Sequence, residues 1–218
     1  MMDINEPLRY LGAGGQAPDS LRGEVAAVAA DLERSIQPRY IYKLARLEHR
    51  DEQTLLPELG LVLSGQTAQR MLEQCGHAVL LACTLGPRFD ALLRSQEARD
   101  MAKAVILDAC GSAWVEHGCD LAEQEIAKRF PEKFLTDRFS PGYGDLPLDI
   151  QPALCAALDA ERRLGVHVTG SFLLNPCKSV TALIGLSDRP QQARIRGCAY
   201  CSMRGTCALR KGGKSCAC

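Results

Sequence analysis

The strongest constraint on the fold is the run His77 to Leu85, which is apolar almost without interruption and is closed by Gly86-Pro87. A strand exposed on one face alternates polar and apolar residues, whereas a run with no polar face must be covered on both sides. These residues therefore read as a buried central strand. The cover follows directly in the chain. From about Phe89 to about Arg129 the pattern is helical, with a break expected near Ser95 to Arg99. The second half of this stretch carries Ile106, Leu107, Cys110, Trp114 and Leu121, with Gly111, Ser112 and Ala113 small enough to admit another element closely. It is the expected central helix, and Trp114 is expected in the core.

Elements on either side complete the class. A helix capped by Asp19 or Ser20 is predicted through Val25, Val28, Ala29 and Leu32, and Arg39 to Leu47 reads as a strand. Ser64 is expected to cap a short helix through Ala68, Met71 and Leu72. Beyond Pro147, Asp149 is expected to cap a helix that Gly165 ends; Val166 to Leu174 and Ser179 to Leu186 read as strands. In the second, Val180, Ala182, Ile184 and Leu186 alternate onto one face. Helices and strands without regular βαβ alternation predict an α+β fold with a largely antiparallel twisted sheet packed with helices.

The chain has 218 residues and no net charge, but both charge and cysteine are unevenly placed. From Asp188 onward seven basic residues face one acid, a net +6 that leaves −6 on the rest. Five of the eleven cysteines, Cys198, Cys201, Cys207, Cys216 and Cys218, crowd into the same end. The expected organisation is a domain over residues 1–187 and a Cys-rich basic tail over 188–218. No apolar run approaches a bilayer span, and the first residues lack a basic start and apolar run, so a cytoplasmic protein without a membrane or nucleic-acid partner is expected. In that setting the thiols are expected reduced or metal-bound. Cys75, Cys83, Cys110, Cys119, Cys155 and Cys177 are scattered and read as small core residues.

The chemistry concentrates in Arg138-Phe139-Ser140-Pro141-Gly142-Tyr143-Gly144-Asp145-Leu146-Pro147. Pro141 presets φ at the first corner of a turn and Gly142 accepts the positive φ of the second, the signature of a type II turn. Arg138 and Tyr143 flank this bend. A guanidinium offers a planar fork to a carboxylate, and a tyrosine offers a hydroxyl and a ring face that attracts cations. The guest these groups suit is small and carries both signs of charge.

This segment, with Val168-Thr169-Gly170-Ser171 and Asn175-Pro176-Cys177-Lys178-Ser179-Val180-Thr181, resembles the activation domain of cobalamin-dependent methionine synthase, in its short free-standing form. The similarity runs over about residues 20–187 and is strongest from 138 to 181. It implies that S-adenosylmethionine is bound at the turn, with Arg138 on the methionine carboxylate, the Ser140 backbone in contact, and Gly142 and Tyr143 as the wall. A family glutamate on the long helix aligns with Ser112, and Glu116, one turn later, is the residue expected to contact the ligand. Ile184 stands where the family has a ligand-contacting tyrosine. The resemblance further implies reductive methylation of cob(II)alamin carried by a partner, either a corrinoid-binding protein or a methionine synthase core, with a separate electron donor. No histidine here is preceded by Asp at the second position, so the chain lacks the Asp-x-His-x-x-Gly corrinoid signature.

Cys198, Cys201, Cys207, Cys216 and Cys218 lie outside that similarity. A C-x2-C pair with further thiolates nearby suits a metal. An iron-sulfur cluster is preferred, because corrinoid activation consumes an electron; zinc is the alternative. The competing functions are an iron-sulfur electron-transfer protein that reduces a corrinoid partner, and a non-enzymatic interaction module with structural zinc. Lys178 is expected to be an exposed loop lysine.

Overall fold

The computed structural model describes residues 1–13, 17–50, 53–191 and Gly205. In chain order its elements are α1 (Asn5–Tyr10), α2 (Asp19–Ser35), β1 (Arg39–Arg46), β2 (Glu48–Arg50), β3 (Gln53–Leu56) and β4 (Leu61–Leu63). There follow α3 (Gln66–Leu72), β5 (Cys75–Thr84), α4 (Pro87–Glu97), α5 (Met101–Arg129) and β6 (Phe134–Leu135). The last are α6 (Gln151–Leu158), α7 (Ala160–Leu164), β7 (His167–Val168), β8 (Leu174–Asn175) and β9 (Ser179–Ser187). Strands β1, β5, β9 and β6 form one sheet in that order, β2, β3 and β4 a second, and β7 with β8 a third. The pairings β2–β3, β3–β4, β6–β9 and β7–β8 are antiparallel, in keeping with the predicted α+β class.

Two compact units interleave along the chain. One takes Met1–Tyr42, Leu81–Ile126 and Gln151–Thr181; the other takes Lys43–Leu80, Ala127–Ile150 and the residues from Ala182 onward. In the first, the predicted helical stretch is divided between α4 and α5 at residues 98–100, where the break was expected. Phe89 of α4 is fully buried against Gly111 of α5, and any Cβ at position 111 would penetrate its ring. The small residues of α5 thus admit α4. Gly111→Ala should cost about 1–3 kcal/mol, read as a lowered urea midpoint, since a buried ring has nowhere to yield. Trp114 is 5% exposed, and its Nε1 donates to Ile36 O at 2.7 Å.

In the second unit, Leu56, Leu63, Met71, Leu72, Phe139 and Leu146 are almost wholly buried. The β2–β3–β4 meander, registered by Glu48↔Leu55 and Thr54↔Leu63, leads into α3. Strand β6 pairs with β9 through Phe134↔Ser187 and Leu135↔Leu186, and this pairing carries the chain toward the 138–147 turn.

Several local expectations are corrected. Helix α2 begins after Pro18, so Asp19 lies inside the first turn and neither it nor Ser20 is the cap. Helix α3 has Gly65, not Ser64, at its N-cap position. The helix expected to run to Gly165 breaks at Asp159, whose φ is 54°, and restarts as α7. Val166 to Leu174 is not one strand. Thr169 closes a loop, its N–H donating to Leu173 O at 2.8 Å and its Oγ1 accepting from Leu173 N at 3.1 Å, and β7 folds back on β8. A threonine hydroxyl that satisfies backbone locally competes with extension into a ladder. Finally, β9 is buried from Thr181 to Ser187, so the alternation read there has no exposed face. Among the described residues no helix is long and apolar enough to cross a membrane.

Candidate functional site

The 138–147 segment is positioned by the part of β9 from Ala182 onward and by α3, all within the second unit. From Leu135 the chain continues alongside β9: Thr136 N–H donates to Gly185 O at 3.0 Å. Phe139 and Leu183 then exchange both ladder hydrogen bonds, at 3.0 and 2.8 Å. Between these pairings one strand advances from 136 to 139 while β9 advances from 185 to 183. The additional residue is a β-bulge, and it falls at Asp137-Arg138. Bulges redirect side chains and break a regular ladder beside sites. Thr136 Oγ1 repairs the ladder, accepting from Gly185 N at 2.8 Å and donating to Asp137 O at 3.1 Å.

Beyond Phe139 the predicted turn forms. Tyr143 N–H donates to Ser140 O at 3.0 Å across Pro141-Gly142, and Gly142 has φ 84°. That value is the type II corner, open to glycine without strain. A second turn follows, with Leu146 N–H donating to Tyr143 O at 3.1 Å and Gly142 N–H donating to Leu146 O at 2.9 Å. Buried Phe139 and Leu146 anchor the two ends, while Gly142 and Tyr143 are exposed and Arg138 and Ser140 are half-buried. Arg138, Ser140, Gly142 and Tyr143 are therefore gathered on one double turn. Glu116 lies on α5 in the first unit.

Asp145, which no local sequence pattern marks, is the fastener of this turn. Its Oδ2 accepts from Gln66 N at 2.7 Å and its Oδ1 from Thr67 N at 2.8 Å, so it caps α3 from 78 residues away. A charged acceptor bridging two N–H groups is a stronger cap than a serine hydroxyl, which explains why Ser64 is not used. Hydrogen bonds from Thr67, then from the Gln66 backbone, hold the Asp145 carboxyl down at about 2. An open cleft of about 610 Å³ beside it is lined by His49, Thr54, Gln69, Arg70 and further polar residues.

Several solved chains match this one in structure. The solved MetH reactivation domain bound to AdoHcy is similar to this chain with a TM-score of 0.69, over 98% of this chain and 82% of that one, at 15% identity. The chain has the fold of the MetH reactivation domain. No protein-family model and no curated protein matches the sequence. The resemblance expected from the 138–181 motifs is thus shown at the level of the fold.

Other residues singled out in the sequence find different surroundings. Lys178 is not an exposed loop lysine: its side chain is 14% exposed, and its Nζ pairs with Asp108 Oδ1 at 2.9 Å and donates to Ser112 Oγ at 2.8 Å. Ser112, at the position aligned with the family glutamate, is therefore engaged with an ammonium. Ile184 is fully buried. Cys75, Cys83, Cys110, Cys119 and Cys155 are buried as expected, but Cys177 is exposed. The residue as a whole is exposed, but its sulfur is turned onto Asp90; partial desolvation of that sulfur, then its hydrogen bond to Asp90 and the charge of the carboxylate, push the Cys177 thiol up to about 12, so it is a thiol and not a thiolate at neutral pH. Among the described residues no group of three or more His, Cys, Asp or Glu is placed to hold a metal. Cys198, Cys201, Cys207, Cys216 and Cys218 lie outside the described residues.

Proposed function

We propose that this protein is an activation module for corrinoid-dependent methyl transfer that binds S-adenosylmethionine at the 138–147 turn. The observation that carries the reading is the bulge and type II turn that present Arg138 and Tyr143 together, in a fold whose solved counterpart is bound to AdoHcy. In this reading the Arg138 fork receives the methionine carboxylate, the Ser140 backbone contacts the ligand, and Gly142 and Tyr143 form the wall. A corrinoid on a separate corrinoid-binding protein or methionine synthase core would accept the methyl group, with one electron drawn from a donor protein. The chain's own contribution is to bind and orient the sulfonium compound. No general base is required of it. Calorimetric titration with S-adenosylmethionine tests the reading, and a wild-type protein that takes up none would overturn it.

In the same reading residues 188–218 would be a basic tail appended to a 1–187 module acting in the cytoplasm. Cys198, Cys201, Cys207, Cys216 and Cys218 would hold an iron-sulfur cluster there, or zinc. The support is their spacing and the arginines and lysines around them, whose charge offsets that of thiolates. Iron, sulfide and zinc analysis after purification without oxygen should return iron and sulfide. Stoichiometric zinc alone would remove any redox role, and absence of both would remove the metal.

A further inference from the structure

We propose that Thr136 and Asp145 are positioning residues that hold the 138–147 corner in its binding geometry before any ligand arrives; the affinity part of this inference rests on the S-adenosylmethionine reading above. The corner has two ends, and each is secured by a side chain that satisfies backbone groups of a distant segment. At the entrance the bulge displaces one residue from the β6–β9 ladder. Gly185 N–H, buried in the sheet, then has a hydroxyl for its acceptor at 2.8 Å where a regular pairing would offer a carbonyl. The same hydroxyl donates to Asp137 O, the peptide that precedes Arg138. Thr136 is 4% exposed, so water cannot substitute for it. Without that hydroxyl, the register that places Arg138 outside the ladder has no compensation for its missing hydrogen bond.

At the exit, Asp145 ties the second turn to α3 through the Gln66 and Thr67 N–H groups, and Gly144 lies so close to the Thr67 side chain that a Cβ there would overlap Thr67 Oγ1. Asp145 N–H also reaches Thr67 Oγ1 at 3.5 Å. The contact is reciprocal, so neither the turn nor the start of α3 can shift alone. Tyr143 lies between the two fasteners in the chain, and its backbone is held by both turns of the corner. A corner ordered in advance loses less entropy on binding, which appears as affinity.

The test uses two pairs of substitutions in the full-length protein. Thr136→Val keeps the shape and removes the hydroxyl, whereas Thr136→Ser keeps the hydroxyl. Asp145→Ala removes both acceptors, whereas Asp145→Asn keeps one. Amide hydrogen exchange read by NMR needs no ligand. Thr136→Val should speed exchange of Gly185 and Phe139, and Asp145→Ala that of Gln66, Thr67 and Leu146, each by about fivefold to tenfold, the effect of losing one cap or buried hydrogen bond. Trp114 and Val79 amides should exchange as in the wild type. Thr136→Ser and Asp145→Asn should recover most of the protection. Affinity for S-adenosylmethionine should fall about tenfold in the first member of each pair and recover in the second. Unchanged local exchange in Thr136→Val and Asp145→Ala would overturn the positioning role, and so would local loss with wild-type affinity. If the wild type takes up no S-adenosylmethionine while the exchange pattern holds, the ligand assignment fails and the fasteners stand.

Discussion

Replacing Arg138 with alanine is expected to weaken S-adenosylmethionine binding about tenfold to a hundredfold, with little change in the unfolding midpoint. The magnitude is that of a hydrogen-bonded charge pair, about 1.5–3 kcal/mol, lost from the carboxylate end of the ligand. Arg138 is half-buried at the bulge and is not part of the core, so the fold should tolerate its truncation. Arg138→Lys should recover only a fraction of the affinity, because an ammonium is a point charge and lacks the planar fork. Titration calorimetry of the three proteins is the measurement. Equal affinities in wild type and Arg138→Ala would remove Arg138 from the site even if S-adenosylmethionine binds elsewhere on the chain.

The second large effect is on stability. Phe139→Ala should cost about 3–5 kcal/mol, the range for deleting a buried aromatic side chain. Phe139 is 2% exposed, and its backbone exchanges two hydrogen bonds with Leu183. It also stands between the bulge and the Pro141-Gly142 turn, so its loss should loosen the corner as well as the core. Phe139→Leu, which keeps most of the volume, should cost well under half as much. Urea unfolding followed by far-ultraviolet circular dichroism reads both. A cost below about 1 kcal/mol for Phe139→Ala would show that this residue does not anchor the corner.

Much of this was legible in the sequence wherever the deciding physics is local. Pro141 and Gly142 each restrict or permit φ through their own covalent structure, and the turn formed with the hydrogen bond from Tyr143 N to Ser140 O that their order predicts. The run from His77 to Leu85 had no polar face and became β5, buried from Ala78 onward. Gly111 and its small neighbours admitted Phe89. The α1 helix and the β2–β3–β4 meander are not legible in the sequence, because six residues of helix and strands of three or four residues are too short for a period to show.

Caps and charges are less legible, and for one reason. Proximity in sequence offers a helix start its nearest polar neighbour, which for α3 is Ser64. The folded chain offers every acceptor that comes within reach, and the Asp145 carboxylate has two oxygens for two N–H groups. Lys178 looked like a solvated loop residue for the same reason, since Asp108 and Ser112 are remote in sequence.

Local physics is enough for the α+β class, the central strand and helix, and the type II turn with Arg138 and Tyr143 at its flanks. Each follows from a residue's own conformational limits or from periodicity within one element. Tertiary structure alone decided that Arg138 leaves the ladder on a bulge repaired by Thr136, and that the turn is fastened to α3 by Asp145. Those features depend on pairings between segments tens of residues apart, where register and reach, and not local propensity, select the partner.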